Sequence, residues 1–400
     1  MLDWMIETRN LENPDKPLDL SEEANWSASG ESVNENTAGK LAAVYSCIGV
    51  LGRSLGQLPL HVLRKVDGKV TRATDHPVYY LLHDEPNSMQ TSYDWRETIM
   101  VHVNGWGNGY SPIERDRHGT VVGLDLLRPW ESSLFRSSSN RWVYSVSSDE
   151  LPLKSVNPDD MLHFKAIGSN GLIGRSPILQ CAETFALGQA SQRYGNRFFG
   201  GGGRPAAIVS AKGQLNKESW NILKTAWKQA KRALRDEDNN TLMLPAELDY
   251  NQLTIAPEDA QFLETRKFNR SEIAGIYNVP SHMINDLDKA TFSNISEQAI
   301  QFVRHTMIPW VVKFEQEMNR KLFTQAERRA GYYVKFNLNG LLRGTSKDRA
   351  EFYTKAIRDG WMTRNEVREL EEMNQADGLD KFLMSADLQP KVVGDKNEKR

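Results

Sequence analysis

We interpret the chain outward from residues 257–323, which read PEDAQFLETRKFNRSEIAGIYNVPSHMINDLDKATFSNISEQAIQFVRHTMIPWVVKFEQEMNRKLF. Pro257 and the two acids after it begin a helix well, because proline suits the first turn and acids suit the positive end of the helix dipole. The pattern predicts a helix over 258–277, about 30 Å long. Pro280 ends it, since the residue before a proline is pushed out of α-helical backbone.

The residues after this break predict a loop and then a second long helix. Residues 281–293 mix polar and apolar side chains without a period. Asn294 and Glu297, three residues apart, predict the N-terminus of a helix that runs toward Phe323. Pro309 removes one donor and crowds the carbonyl of His305, so we expect a kink there. A helical hairpin inside an ordinary globular enzyme would show the same pattern, so these two helices alone do not identify the function.

Composition excludes several classes of protein. The chain has 400 residues, with 50 Lys and Arg against 52 Asp and Glu, a net charge of −2. A protein that grips nucleic acid by its phosphates usually shows a basic excess. Two cysteines, Cys47 and Cys181, give neither zinc spacing nor a disulfide framework. We expect no secretory signal, no membrane span, no metal and no cofactor.

The N-terminal half predicts an arm followed by an α+β region. Residues 1–39 are polar and predict a loosely held arm. Apolar residues recur at three and four from Lys40 to Leu58, which predicts a helix. Asp67-Gly68 predicts the turn of a hairpin, and alternating segments up to residue 165 predict further strands. Ser176-Pro177 predicts the start of a helix that reaches Phe199.

A compact insert, residues 204–256, separates the two predicted long helices. Its AAIVS and TLMLP segments read as strands, with a helix over 216–234 between them. One face of that helix is basic: Lys217, Lys224, Lys228, Lys231 and Arg235. This face is either a solvated surface or a docking surface for an acidic partner or DNA phosphate. The same two readings apply to Arg266, Lys267 and Arg270 on the helix over 258–277.

The C-terminal part predicts one strand and two helices. YYVKFNLNGLL at 332–342 reads as a strand, and residues 346–374 read as a helical pair. Gly360 closes the first helix of the pair, and Thr363 with Glu366 forms a capping box for the second. The last 15 or so residues are polar, and we expect them to be loose.

One segment of the chain matches an enzyme motif. Gly52-Arg53-Ser54-Leu55-Gly56 matches the GxSxG nucleophile elbow, which requires a strand before the serine and a helix after it. Ser54 instead lies inside a helical period, where small residues let helices pack closely. The chain has no Walker A sequence, no GxGxxG, no HExxH and no histidine pair at metal-ligand spacing.

Taken together, the order of several segments resembles the portal proteins of tailed bacteriophages, the head-tail connectors of the capsid vertex. The resemblance runs from about residue 40 to 374. The segments that carry it are AVYSCIGVLGRSLGQLPLHVLRK, HPVYYLLHDEPN, GWGNGYSPIERDRHGTVVGLDLLRP, MLHFKAIGSNGLIGRSPI, NRFFGGGGRPAAIV, RKFNRSEIAGIYNVPSHMI, IPWVVKFEQEMNRKL and NGLLRGTSKDRAEFYTKAIRDGWMTRNEVREL.

The resemblance implies an α+β portal fold with named parts. These are a flexible arm (1–39), a wing (40–175), stem helix 1 (176–203), a clip (204–256), stem helix 2 (257–280), a tunnel loop (281–293), a long kinked helix with the return strand of the wing (294–345), a short helical crown (346–384) and a flexible tail (385–400). In the tunnel loop, candidate DNA-facing residues are His282, Asn285, Lys289, Ser293 and Asn294.

The resemblance also implies a function and partners. Copies of the chain would form a twelve-fold ring through which double-stranded DNA is packaged and ejected. The ring would meet the terminase large subunit, the major capsid protein and a head-tail adaptor protein, without a membrane, and would be assembled in the host cytoplasm for the virion. Near-neutral charge suits a channel in which DNA has to slide. The alternatives are a serine hydrolase using Ser54 and a DNA clamp-like protein, which predicts tight, salt-dependent DNA binding.

Overall fold

The computed structural model describes residues 25–137, 140–148, 151–200, 208–211, 221, 224–225, 248–251, 258–286, 292–338, 346–371 and 373–383. The chain divides into two compact units. The first contains Ala42–Gln180 and the chain from Ala274 onward, and the second contains Ala24–Leu41 and Cys181–Ile273.

The described elements alternate between helices and short antiparallel strands. The strands are β1 (Asn25–Trp26), β2 (Ser32–Val33), β3 (Leu60–Val66), β4 (Lys69–Arg72), β5 (Asn108–Arg115), β6 (Val121–Leu124), β7 (Ser132–Arg136), β8 (Trp142–Ser148), β9 (Leu151–Val156), β10 (Met161–Lys165), β11 (Ile208–Ala211), β12 (Leu248–Asn251) and β13 (Tyr332–Phe336). The helices are α1 (Glu35–Ala38), α2 (Ala42–Gly56), α3 (Pro77–His83), α4 (Ser92–Trp106), α5 (Pro177–Gln180), α6 (Ala182–Gly200), α7 (Glu258–Ile276), α8 (Phe292–Phe302), α9 (Ile308–Lys321), α10 (Gln325–Arg329), α11 (Ser346–Arg358) and α12 (Arg364–Leu370).

Helices α2 and α4 pack closely in the first unit, and two glycines allow it. A Cβ on Gly52 would lie 3.1 Å from Cγ of Glu97, and one on Gly56 would lie 3.0 Å from the Tyr93 ring. Ser54 is buried in the last turn of α2, and the residues before it in α2 are helical, so GRSLG is not a strand-to-helix elbow. The prediction that these small residues serve helix packing is confirmed.

Three small sheets complete the first unit. Their strand orders are β13-β3-β4, β10-β5-β6 and β7-β8-β9, all antiparallel. The predicted hairpin turn is confirmed, because Asp67 has φ 49° and Gly68 has φ 82°, the left-handed pair that a two-residue hairpin needs. The strand predicted at 332–342 ends at Phe336.

A helix covers the free edge of β13. The Asn319 side chain of α9 accepts a hydrogen bond from the Val334 N–H at 2.6 Å and donates to the Val334 carbonyl at 3.2 Å. Glu315, one turn earlier, accepts from the Phe336 N–H at 2.9 Å. These side chains satisfy backbone groups that the pairing with β3 leaves facing outward, so the strand has no open edge there.

A buried polar network joins β10 to the same helix. His163 is 2 % exposed, and its Nε2 lies 2.9 Å from Asn108 Oδ1 while its Nδ1 lies 3.0 Å from the Tyr144 hydroxyl. Asn108 Oδ1 also accepts from the Gly174 N–H at 2.8 Å, so it acts as the acceptor and His163 Nε2 carries the proton. The backbone N–H of His163 donates to the Glu317 side chain, which pairs with the buried Lys321. Burial lowers the pKa of His163 well below its usual value, assisted by Lys165 and Lys321.

The second unit holds the two long helices α6 and α7. A Cβ on Gly188 of α6 would lie 2.6 Å from Oδ1 of Asn269 of α7, so any other residue at position 188 would displace the Asn269 side chain. Asn269 is 5 % exposed and donates to the Thr184 carbonyl at 2.9 Å. In place of the single helix predicted from Ser176 to Phe199, the structure has α5 and α6, separated at Cys181.

The N-terminal segment corrects the prediction of a loose arm over 1–39. From Asn25 it forms the β1-β2 hairpin and α1, and it is bonded to α6 along its length. The Ala28 N–H donates to Glu183 at 3.1 Å, Gln189 donates to Thr37 at 3.1 Å, and Glu31 pairs with Arg193. The correction has a physical cause, since these partners lie more than 150 residues away in sequence and no local pattern reveals them. Residues 1–24 lie outside the described part of the chain.

The predicted insert is described only in part. Strand β11 overlaps AAIVS and extends one residue beyond it, to Ala211. Its partner β12 is Leu248–Asn251, downstream of the predicted TLMLP strand, which lies outside the described residues. Of the helix predicted at 216–234, residues 221, 224 and 225 are described, and all three are helical and exposed. The helical pair predicted at 346–374 corresponds to α11 and α12, and the capping box of Thr363 and Glu366 is present.

Candidate functional site around residues 278–306

The second long helix ends in a left-handed asparagine. Asn278 has φ 51°, its N–H donates to the Gly275 carbonyl at 3.0 Å, and the Val279 N–H donates to the Ala274 carbonyl at 2.9 Å. This pair of bonds is the Schellman motif, with the buried Val279 as its apolar contact. The predicted end of the helix before Pro280 is confirmed, and the asparagine gives it a defined geometry.

A single short turn follows and repeats that ending. Ser281–Ile284 form a 3-10 turn closed by Asn285, with φ 60°. The backbone N–H of Asn285 donates to the His282 carbonyl at 3.2 Å, and the backbone N–H of Asp286 donates to the Ser281 carbonyl at 3.0 Å. Ile284 is buried, so the first part of the predicted loop is ordered and packed.

The five loop candidates fall into different environments. His282 is half-buried, and its Nδ1 lies 2.7 Å from Gln298 Oε1 of α8, whereas Asn285 is exposed. Lys289 lies outside the described residues. Ser293 and Asn294 belong to the first turn of α8, which begins at Phe292, so Asn294 does not cap the helix as predicted. Several polar residues near the helix start can cap, and their spacing alone does not fix its first residue.

The predicted kink has an identifiable form. Val303–Met307 make a π turn between α8 and α9, in which the Ile308 N–H donates to the Val303 carbonyl, five residues back. Pro309 has no N–H for the carbonyl of His305. The side-chain amide of Asn278 donates to that carbonyl at 3.3 Å and to the Thr306 hydroxyl at 2.9 Å. The Thr306 hydroxyl in turn donates to the Asn278 carbonyl at 2.7 Å.

Sequence reasoning missed Asn278 and Thr306. The signal was present, since an asparagine just before Val-Pro at the end of a helix is a good left-handed residue. Nothing local indicated that its amide would reach a residue 28 positions later.

The basic candidates are described in part. Arg266 and Lys267 are exposed on α7, and Arg270 is half-buried. On the insert helix, Lys224 is exposed, while Lys217, Lys228, Lys231 and Arg235 lie outside the described residues. Which of these residues meet DNA or a partner stays a prediction.

The described residues contain neither a metal-binding cluster nor a membrane-spanning helix. Among them, no His, Cys, Asp and Glu side chains form a group of three that could hold a metal ion. No described helix combines the length and apolar character needed to cross a bilayer.

The fold is that of a portal protein. The chain is similar to the crystal structure of an HK97 family phage portal protein from Corynebacterium diphtheriae, with a TM-score of 0.57, 18 % identity, and coverage of 76 % of this chain and 95 % of that chain. It is also similar to a chain in the neck of a native gene transfer agent particle computed with C12 symmetry, with a TM-score of 0.58, 19 % identity, and coverage of 86 % and 92 %. At these identities the likeness concerns the fold alone.

Sequence comparison gives the family. The phage portal protein family model matches residues 42–372. The probable portal protein of Streptomyces phage phiC31 is 30 % identical over 364 residues, which cover 88 % of this chain and 79 % of the relative. The chain therefore belongs to the phage portal protein family, whose members are structural components of the virion.

Proposed function

We propose that copies of this chain form a closed ring of about twelve subunits around a channel for double-stranded DNA. Family membership over residues 42–372 carries this proposal. The twelve-fold number is supported by the symmetry applied to the similar particle neck. A head-to-tail ring needs two unlike faces on each subunit that complement each other.

The long helices of the second unit supply surface that such a ring would cover. Leu187 and Tyr194, seven residues apart on one face of α6, are 41 % and 50 % exposed. Leu263 and Phe268 of α7 are 58 % and 64 % exposed. Large apolar side chains at this exposure on two neighbouring helices are suited to burial between subunits.

The proposed channel also assigns duties to the other regions. The insert 204–256 would be the clip that meets the terminase large subunit and later the head-tail adaptor protein, and the ring would sit in a shell of major capsid protein. We further propose that the chain catalyses no reaction and is assembled in the host cytoplasm. The burial of Ser54 inside α2 supports the first of these statements.

Assembly is tested by charge substitution on α7. Phe268→Glu should leave the isolated chain folded, because the side chain is already exposed, and should abolish rings by placing an unpaired charge in the interface. Phe268→Leu, which keeps an apolar side chain at the same position, is the control and should form rings in negative-stain images. Rings of unchanged abundance in Phe268→Glu would contradict the interface.

DNA contact is tested by loop replacement. A short Gly-Ser linker in place of residues 287–291, which keeps the buried Ile284 and helix α8, should permit ring assembly and impair packaging or retention of DNA, measured as protected DNA per particle. Normal packaging by this variant would count against a DNA-contacting loop.

A further inference from the structure

Helix α8, the π turn Val303–Met307 and helix α9 form one long helix. At the π turn, which we call the joint, the hydrogen-bond register shifts by one residue. In an α-helix the Ile308 N–H would bond to the Arg304 carbonyl, but here it bonds to the Val303 carbonyl. Single π turns of this kind interrupt helices and concentrate at functional sites. Conversion of the joint to α-helix would shift α8 against α9 by one residue, a rotation of about 100°.

Asn278 holds the joint from outside the helix. Its amide gives one hydrogen to the His305 carbonyl, which Pro309 leaves without a helical donor, and the other to the Thr306 hydroxyl. Thr306 is 4 % exposed and returns a hydrogen bond to the Asn278 carbonyl. The left-handed backbone of Asn278 would favour glycine, yet glycine could make none of the side-chain bonds.

A second bond secures the other side of the joint. His282, within the 3-10 turn, binds Gln298 of α8, so the chain is bonded to the long helix both before this turn, at Asn278, and inside it. Helix α2 packs against the 3-10 turn and against the π turn.

We propose that Asn278 is a positioning residue that keeps residues 303–308 in the π register, and that these residues leave that register more often when the Asn278–Thr306 pair is broken. The consequence for DNA rests on the proposed channel function, because rotation of α8 would re-aim the residues that follow the loop. The register itself is a property of the single chain.

The test compares two left-handed asparagines. Asn278→Gly removes the amide and keeps an easy left-handed backbone, while Asn285→Gly makes the same change at an exposed residue. Amide hydrogen exchange is measured by mass spectrometry across 303–310 in the purified protein. Asn278→Gly should accelerate exchange there by about tenfold, the effect of losing one or two net hydrogen bonds, and Asn285→Gly should not. Equal exchange in the two variants would overturn the proposal.

A second background separates positioning from general destabilisation. Pro309→Ala restores a backbone N–H next to the orphaned carbonyl, so in that background Asn278→Gly should accelerate exchange several-fold less. An equal effect in both backgrounds would overturn the proposal. Thr306→Val tests the same pair without altering the left-handed backbone, in case Asn278→Gly does not fold, and no acceleration in Thr306→Val would also count against it.

These measurements need neither a ring nor DNA. A chain that never forms rings would refute the proposed function and leave the exchange result readable.

Discussion

Arg96 donates to the last carbonyls of two helices at once. Its Nη2 lies 2.8 Å from the Gly56 carbonyl at the end of α2, and its Nη1 lies 3.0 Å from the Leu82 carbonyl in the last turn of α3. Burial lowers the pKa of Arg96 to about 10, and within the described residues no carboxylate forms an ion pair with it. The negative ends of two helix dipoles stabilise the charge instead.

Arg96→Met should therefore lower the free energy of unfolding by about 1–3 kcal/mol. The Gly56 carbonyl loses its side-chain donor, whereas the Leu82 carbonyl keeps the Ser92 hydroxyl. The control is Arg53→Met, which changes an exposed arginine in the last turn of α2 and should cost about 0.5 kcal/mol or less. The measurement is the urea midpoint of unfolding of each variant. Similar midpoints would show that Arg96 does not close the two helices.

Three histidines make the first unit sensitive to acid: His163 is buried, and His61 and His102 are half-buried. Burial lowers the pKa of His102 to about 4, and burial with Arg72 and His83 lowers that of His61 to about 4. His163 shifts the same way. The unfolded chain binds these protons near pH 6.5, whereas the folded chain does not. The contribution of these histidines to the free energy of unfolding is therefore fully present above pH 6.5 and is lost as the pH falls toward 4.

Acidification from pH 7 to pH 5 should therefore lower the urea midpoint, and His102→Met should reduce the drop. Methionine also suits this position, since His102 Nδ1 is buried without a hydrogen-bond partner. His118→Met, at an exposed site, should retain the full drop. A midpoint that rises on acidification would contradict the assignment of neutral buried imidazoles.

At the scale of elements, helix α9 acts as the missing neighbour of strand β13. Asn319 mimics a strand by bonding both to the N–H and to the carbonyl of Val334. Edge strands left open promote pairing with other chains, so this cover also limits aggregation.

Asn319→Leu should destabilise the protein by about 2 kcal/mol or more, because two backbone groups lose their partners. It should also increase light scattering on storage. Gln316→Leu, an exposed position on the same helix, controls for added apolar surface. Equal stability and scattering in the two variants would show that the edge needs no cover.

The limits of sequence reasoning are visible in these elements. Helix α7, the hairpin turn at Asp67-Gly68 and the interruption near Pro309 follow from proline, glycine and apolar spacing, which act over a few residues. The π turn does not, because it depends on an amide 28 residues away. The ordered segment before Gly39 depends on Glu31 and Arg193, 162 positions apart. Local patterns identify where a helix stops, and tertiary partners decide what takes its place.

At the scale of the molecule, the ordered run of segments pointed to a portal protein, and family membership confirms it. The loop candidates could not be narrowed from sequence, because polarity does not distinguish a residue that meets DNA from one that meets its own helix. His282 illustrates this, since it was chosen for its polarity and its ring binds Gln298.

The most direct test of the ring is the mass and shape of the purified protein, by native mass spectrometry and negative-stain images of one sample. The account predicts a closed ring of about twelve 45.5 kDa chains, with a central hole wide enough for a DNA duplex. A protein that stays a single chain or a dimer across the accessible concentrations, or that forms open filaments, would contradict it.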